Sequence, residues 1–289
     1  MSNDIQELES EIARLNIRLA EEERAFNILC NKKRAAFFSP LAAPFKAAAQ
    51  KLDELAYRGK LKKLNGLRVA VHIHLYYTDL AGEFVSYLKN IPVPFDLFVT
   101  TVDEDTAGVR SLFGDFENVS VIRVPNKGRD IGAFLVVLNQ IEPDSHDVLI
   151  KLHSKKSLGR ATDGDKWRKE LIYPLLGTKA KATVMLYAFQ KRKKLGMYGA
   201  KQHLTTLGME QYRIFFDLCE RLKIQPFPYY FKGTMFAVRP SALKPLRESG
   251  LSMNDMTEKM ERSDGYLEHA LERVFGSLCA KAALTVKGV

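Results

Sequence analysis

Between Ile5 and Leu29, apolar side chains recur at three- and four-residue steps (Ile5, Leu8, Ile12, Leu15, Leu19, Phe26, Leu29), with Glu22 where the seam would otherwise continue. The spacing predicts a helix with a coiled-coil seam of barely more than three heptads, able to pair with a second copy, with a partner protein or with the domain that follows. Ser39-Pro40 and Ala43-Pro44 end it, because proline removes a backbone donor and restrains the residue before it. A short helix from about Pro44 to Tyr57 and a basic linker then complete a helical extension over residues 1–65.

From Leu67 the pattern switches to strands separated by helical stretches. The strand candidates are Leu67 to Leu75, Phe95 to Thr101, Val119 to Val124 and Val148 to Leu152. Such alternation predicts an α/β domain over residues 66–289, with a mainly parallel sheet flanked by helices and ligands bound beyond the carboxyl ends of the strands. Further on, helices are expected at Arg168 to Leu176, Thr178 to Gln190, Glu210 to Leu222 and about Gly265 to Leu278, with a strand at Thr234 to Val238.

Composition narrows the classes. A chain of 289 residues with 46% apolar residues can build a sizeable core. No apolar run approaches the roughly 20 residues of a membrane-spanning helix, and Met1 to Ile5 lacks the build of a secretory signal, so a cytoplasmic protein is expected. Cys30, Cys219 and Cys279 form no C-x-x-C pair, which argues against a disulfide framework or a thiolate metal site. The net charge of +10 favours anionic partners. Basic runs at Lys60 to Lys63 and Lys191 to Lys194 read as solvated turns or as a weak peripheral attachment to the inner face of a membrane. No nucleic-acid reading motif accompanies the charge, and the basic runs lack interleaved aromatics.

The candidate chemistry lies at strand ends. Alternation puts His72 and His74 on one face of the first strand, either as metal ligands or as groups satisfied within the sheet. Tyr76 and Tyr77 follow it, placed to pack against a base or sugar ring. In Pro125-Asn126-Lys127-Gly128-Arg129-Asp130, Gly128 permits a positive φ, Asp130 can cap the helix from Ile131, and Arg129 either grips a phosphate or faces solvent. The strand Val148 to Leu152 turns abruptly cationic: Lys151 and His153 share a face, with Lys155 and Lys156 at the mouth. A buried Lys151 needs an anion, a carboxylate or a cavity; either the cluster meets a pyrophosphate leaving group or Lys151 pairs structurally with Asp130. Near the last helix, Asp264 is either its cap or, with Glu268, a carboxylate able to take an acceptor hydroxyl's proton.

His72 to Asp79, PNKGRDIGAFL (125–135), KLHSKKS (151–157), GTMFAVRP (233–240) and DGYLEHALER (264–273) together resemble the rhamnan synthesis protein F family of bacterial polysaccharide glycosyltransferases. The match runs in order from about residue 67 to 277 and excludes the first helix. The resemblance implies a GT-A-like, Rossmann-type fold and transfer of a sugar from a nucleotide-sugar donor to a lipid-linked or polysaccharide acceptor, rhamnose being one such sugar. It implies a donor site at His74, Tyr76, Asn126, Arg129, Asp130, Lys151, His153, Lys155 and Lys156. It places the acceptor along Gly233, Thr234, Met235, His269 and Arg273, with Asp264 and then Glu268 as the base. Lys151-Leu152-His153 stands where most GT-A enzymes carry a metal-binding Asp-x-Asp, so no metal is expected, the alternative being Mg or Mn on Asp163 and Asp165. A noncatalytic binding scaffold is the competing class.

Overall fold

The computed structural model describes residues 57–142, 144–156, 164–207, 212–258 and 265–289. The predicted seam helix lies outside the described residues, as does the Pro44 to Tyr57 helix except for its last residue.

Strand β1 (Val69–His74) leads through α1 (Ala81–Leu88) to β2 (Phe95–Thr101), and α2 (Thr106–Ser111) leads to β3 (Val119–Arg123). Helix α3 (Arg129–Leu138) then precedes β4 (Val148–His153). Helices α4 (Gly164–Leu176) and α5 (Lys179–Lys191) follow, then β5 (Leu195–Gly199), β6 (Leu204–Thr206) and α6 (Tyr212–Arg221). The chain ends with β7 (Tyr229–Phe231), β8 (Phe236–Val238), α7 (Lys244–Glu248), α8 (Leu267–Lys281) and β9 (Thr285–Gly288).

Seven strands form one sheet in the order β3-β2-β1-β4-β8-β5-β9, and β6 pairs with β7 separately. The pairings from β3 to β4, and that of β5 with β9, are parallel; β8 runs antiparallel to both β4 and β5. Every residue of β1 and of β4 is buried, as expected of parallel strands covered on both faces. Phe134, Leu138, Phe215, Val274 and Phe275 build the core on one face, and Phe84, Leu88, Leu171, Leu175, Leu186 and Phe189 the core on the other.

The four strands expected before residue 153 fall where the pattern put them. Strands β5, β6, β7 and β9 went unread. They are short, and Gly196, Gly199 and Gly288 interrupt the apolar alternation that would mark them. Gly199 is needed there, since a Cβ would come within 2.8 Å of the Phe231 ring.

Candidate functional site

After β3 the chain crosses to the other side of β1 to lay down β4, so the carboxyl ends of β1 and β4 flank the point where the strand order reverses. Open α/β sheets bind ligands in the crevice such a reversal leaves. A cleft of about 430 Å³ lies there. The end of β1 contributes His74, Tyr76 and Tyr77, and the turn into α3 contributes Asn126, Arg129 and Asp130. The end of β4 contributes His153, Ser154, Lys155 and Lys156, and α4 contributes Trp167.

The floor of this cleft follows from strand register. Pairing of β1 with β4 sets His72 beside Lys151 and His74 beside His153, all on the α3 face. Lys151 is fully buried, and its Nζ donates to Asp130 Oδ2 at 2.6 Å and to the Thr234 carbonyl and hydroxyl at 3.1 Å each. The Thr234 hydroxyl donates to the same Asp130 oxygen at 2.5 Å. Lys151 is thus spent on a structural ion pair beneath the cleft and does not line its wall.

Burial alone would raise the Asp130 carboxyl. The His153 ring, the Lys151 ammonium and hydrogen bonds from Lys151 and Thr234 outweigh that and hold it well below the usual range. Burial also lowers His74 to about 4 and His153 to about 3, and pushes His72 well below its ordinary value. All three rings are neutral near pH 7. His72 Nε2 and His74 Nδ1 each share a hydrogen bond with the Thr100 hydroxyl, at 2.9 and 3.1 Å. Their partner is the sheet; among the described residues no three His, Cys, Asp or Glu side chains are placed to hold a metal ion.

The expected cap is corrected. Helix α3 starts at Arg129 with Gly128 as its N-cap, without a side-chain cap, and Asp130 turns instead to Lys151. Gly128 (φ 69°) and Arg129 (φ 51°) are both left-handed. A Cβ on Gly128 would lie 2.6 Å from Met256, so glycine is required on steric grounds as well. Across the cleft, Gly233 (φ 91°) and Thr234 (φ 51°) make a second left-handed pair. A β-branched residue at positive φ is strained, and here the Asp130 and Lys151 bonds hold it.

Arg129, Asp130, His153 and Lys155 also border a smaller inner chamber of about 90 Å³, closed by Gly233, Thr234, Glu268, His269 and Glu272. Of the expected acceptor residues, Gly233, Thr234 and His269 line it. Met235 does not: it is fully buried in the apolar core, on the opposite side of the backbone from Thr234. Arg273 is buried too, donating to the His269 carbonyl at 2.6 Å with its guanidinium over the Tyr230 ring. Glu268 reaches the chamber, but its Oε1 accepts the Thr257 N–H at 2.5 Å and its Oε2 the Thr257 hydroxyl at 3.3 Å. Asp264 and Asp163 lie outside the described residues, and Asp165 accepts from Arg168 Nη1 at 2.8 Å.

Sequence reasoning missed Trp167 and Glu272. Trp167, the one tryptophan of the 289-residue sequence, lies under the Lys155 ammonium at 4.5 Å. Glu272 follows Glu268 by one helical turn, a spacing that could have marked it.

Residues 49–283 match the family model described as "Rhamnan synthesis protein F". Two Xanthomonas campestris pv. campestris relatives, both "Uncharacterized protein WxcX" (strains B100 and ATCC 33913), are 28% identical over 222 residues. These alignments cover 71% of this chain, and the chain spans 30% of the length of those relatives. A solved S. aureus structure, TarS 1-349, aligns with a TM-score of 0.41 at 10% identity, covering 73% of this chain and 55% of that one.

Proposed function

Because the chain belongs to the rhamnan synthesis protein F family, we propose that it is a glycosyltransferase whose outer cleft binds a nucleoside-diphosphate sugar. The supporting observation is the concentration of Arg129, Lys155 and Lys156 around a cleft at the strand-order reversal. Arg129 offers a planar fork to one phosphate, while Lys155 and Lys156 oppose the negative charge that grows on the diphosphate as it departs. Lys156 is paired with Asp79 and also lies 4.9 Å over the Tyr77 ring, which pre-positions its charge. Tyr76, more than a third exposed, offers a face for the base. Asn126 and His74 supply hydrogen bonds to the donor, and Asp130 presents its second oxygen to a sugar hydroxyl.

In this reading Lys151 positions Asp130 and Thr234, and the cationic side chains take the place of a divalent ion at the diphosphate. Rhamnose is the proposed sugar, and a lipid-linked or growing polysaccharide at the inner membrane face the proposed acceptor.

The test is calorimetric titration with UDP, dTDP, GDP and their sugar conjugates, in magnesium and in chelator. One nucleotide should bind in chelator, and a Lys155→Ala/Lys156→Ala variant should bind it about tenfold or more weakly. Binding only with magnesium would move the site toward Asp163 and Asp165. No nucleotide binding at all would leave a noncatalytic scaffold.

A further inference from the structure

We propose that Glu272, in place of Glu268, is the catalytic base that removes the acceptor hydroxyl's proton, with the inner chamber as the place where acceptor and donor meet. The assignment rests on the donor site proposed above. The chamber is continuous with the outer cleft through Arg129, Asp130, His153 and Lys155, so an anomeric carbon whose diphosphate sits on the cations would face into it.

Among the described carboxylates lining the chamber, commitments differ. Asp130 Oδ2 already serves Lys151 and Thr234. Glu268 has both oxygens on Thr257. Glu272 has one oxygen fixed, Oε1 accepting the Gly233 N–H at 2.6 Å, and its Oε2 has no protein partner among the described residues. A base needs this arrangement: one oxygen to set the carboxylate's orientation and one to receive the proton. The left-handed Gly233-Thr234 turn serves the same end, because it aims the Gly233 N–H at α8 while Thr234 holds Asp130.

The step balances as a single displacement. Glu272 Oε2 takes the proton, the acceptor oxygen bonds to the anomeric carbon, and the bond from that carbon to the phosphate oxygen breaks, its electron pair leaving with the nucleoside diphosphate. The anomeric configuration therefore inverts. Burial raises Glu272 above its ordinary value, the Asp130 charge adds to this, and the Gly233 N–H, Arg273 and Lys155 oppose it. Arg129, His153, Glu268 and His269 also face the chamber. A base with a raised value is a stronger one, and transfer is lost as pH falls through that value.

The experiment uses the full chain with dTDP-rhamnose as donor and a rhamnose-terminated pyrophosphoryl lipid as acceptor, reading dTDP release, product mass and anomeric configuration. Glu272→Gln keeps an oxygen for the Gly233 N–H, so folding should survive. Its kcat should fall about 10²- to 10⁴-fold while dTDP affinity changes less than about threefold. Glu268→Gln and Asp264→Asn should lose far less. The wild-type kcat/KM profile should show an acid limb above the ordinary glutamate range. Wild-type rates in Glu272→Gln, a large loss confined to Asp264→Asn, or a product of retained configuration would each overturn the assignment while leaving the donor site standing. A wild-type protein that binds no nucleotide would bring down both.

Discussion

The half of the sheet from β3 to β4 meets the site through parallel strand ends, whereas the β8-β5-β9 half meets it through one tight turn, Gly233-Thr234, and the α8 helix packed behind it. The parallel half supplies Arg129, Lys155 and Lys156 at or near solvent, where charge stays hydrated and ready to meet an anion. The antiparallel half brings Glu268 and Glu272 into a narrow chamber, where burial raises Glu272 above its ordinary value. The proposed binding cations and the proposed base thus meet at adjoining cavities in the fold, although 112 to 143 positions separate these cations from Glu268 and Glu272 in the chain. Lys151, on β4, is the joint: its ammonium ties Asp130 of α3 to Thr234 beside β8.

Breaking that joint should have the largest effect. Lys151→Met leaves Asp130 without its ammonium partner beneath the cleft, and removing one member of a buried pair costs about 3–5 kcal/mol. Urea unfolding should show the loss, and a Lys151→Met/Asp130→Asn double variant should recover part of it. An additive double variant would show that Lys151 and Asp130 are not coupled.

A smaller effect separates the halves by pH. His74 and His153 sit on the parallel half with folded values of about 4 and about 3, below the ordinary value for the unfolded chain. Their burial therefore contributes stability in full above about pH 6.5. That contribution is withdrawn as pH falls toward the folded values, by about 1.4 kcal/mol per pH unit for each ring. Urea midpoints measured downward from about pH 7 should drop accordingly. A His74→Gln variant should flatten the slope, and an unchanged slope would show that the ring is not held neutral.

The smallest expected change sharpens the contrast. Arg129 is held at φ 51°, so Arg129→Gly should raise thermal stability by no more than about 1 kcal/mol. The same variant should weaken nucleotide binding, which would show that the strain is kept for the cation.

The parallel half was legible because its signals are local. Buried strands read as apolar runs, their helices follow with 3.6-residue spacing, and the abrupt change at Lys151 to Lys156 marks a strand end without further context. Even the Lys151–Asp130 pairing could be foreseen, since a lysine inside a core strand needs a counter-charge. In the other half of the sheet only β8 was legible, within Thr234 to Val238, because β5 and β9 are short and broken by glycines, and the choice of β8 to pair with β4 is made by partners distant in sequence.

The same division holds at the site. The sequence by itself determined which residue types crowd the strand mouths, the family they resemble and the charge available for an anion. The tertiary structure alone decided that Asp130 answers Lys151 instead of capping α3, and that Met235 faces the core. It also decided that Glu268 is bound to Thr257 while Glu272 keeps an oxygen for the chamber. Residue type fixes what a group can do. Which of its hydrogen-bonding positions are already taken depends on neighbours that only folding brings within 3 Å or so.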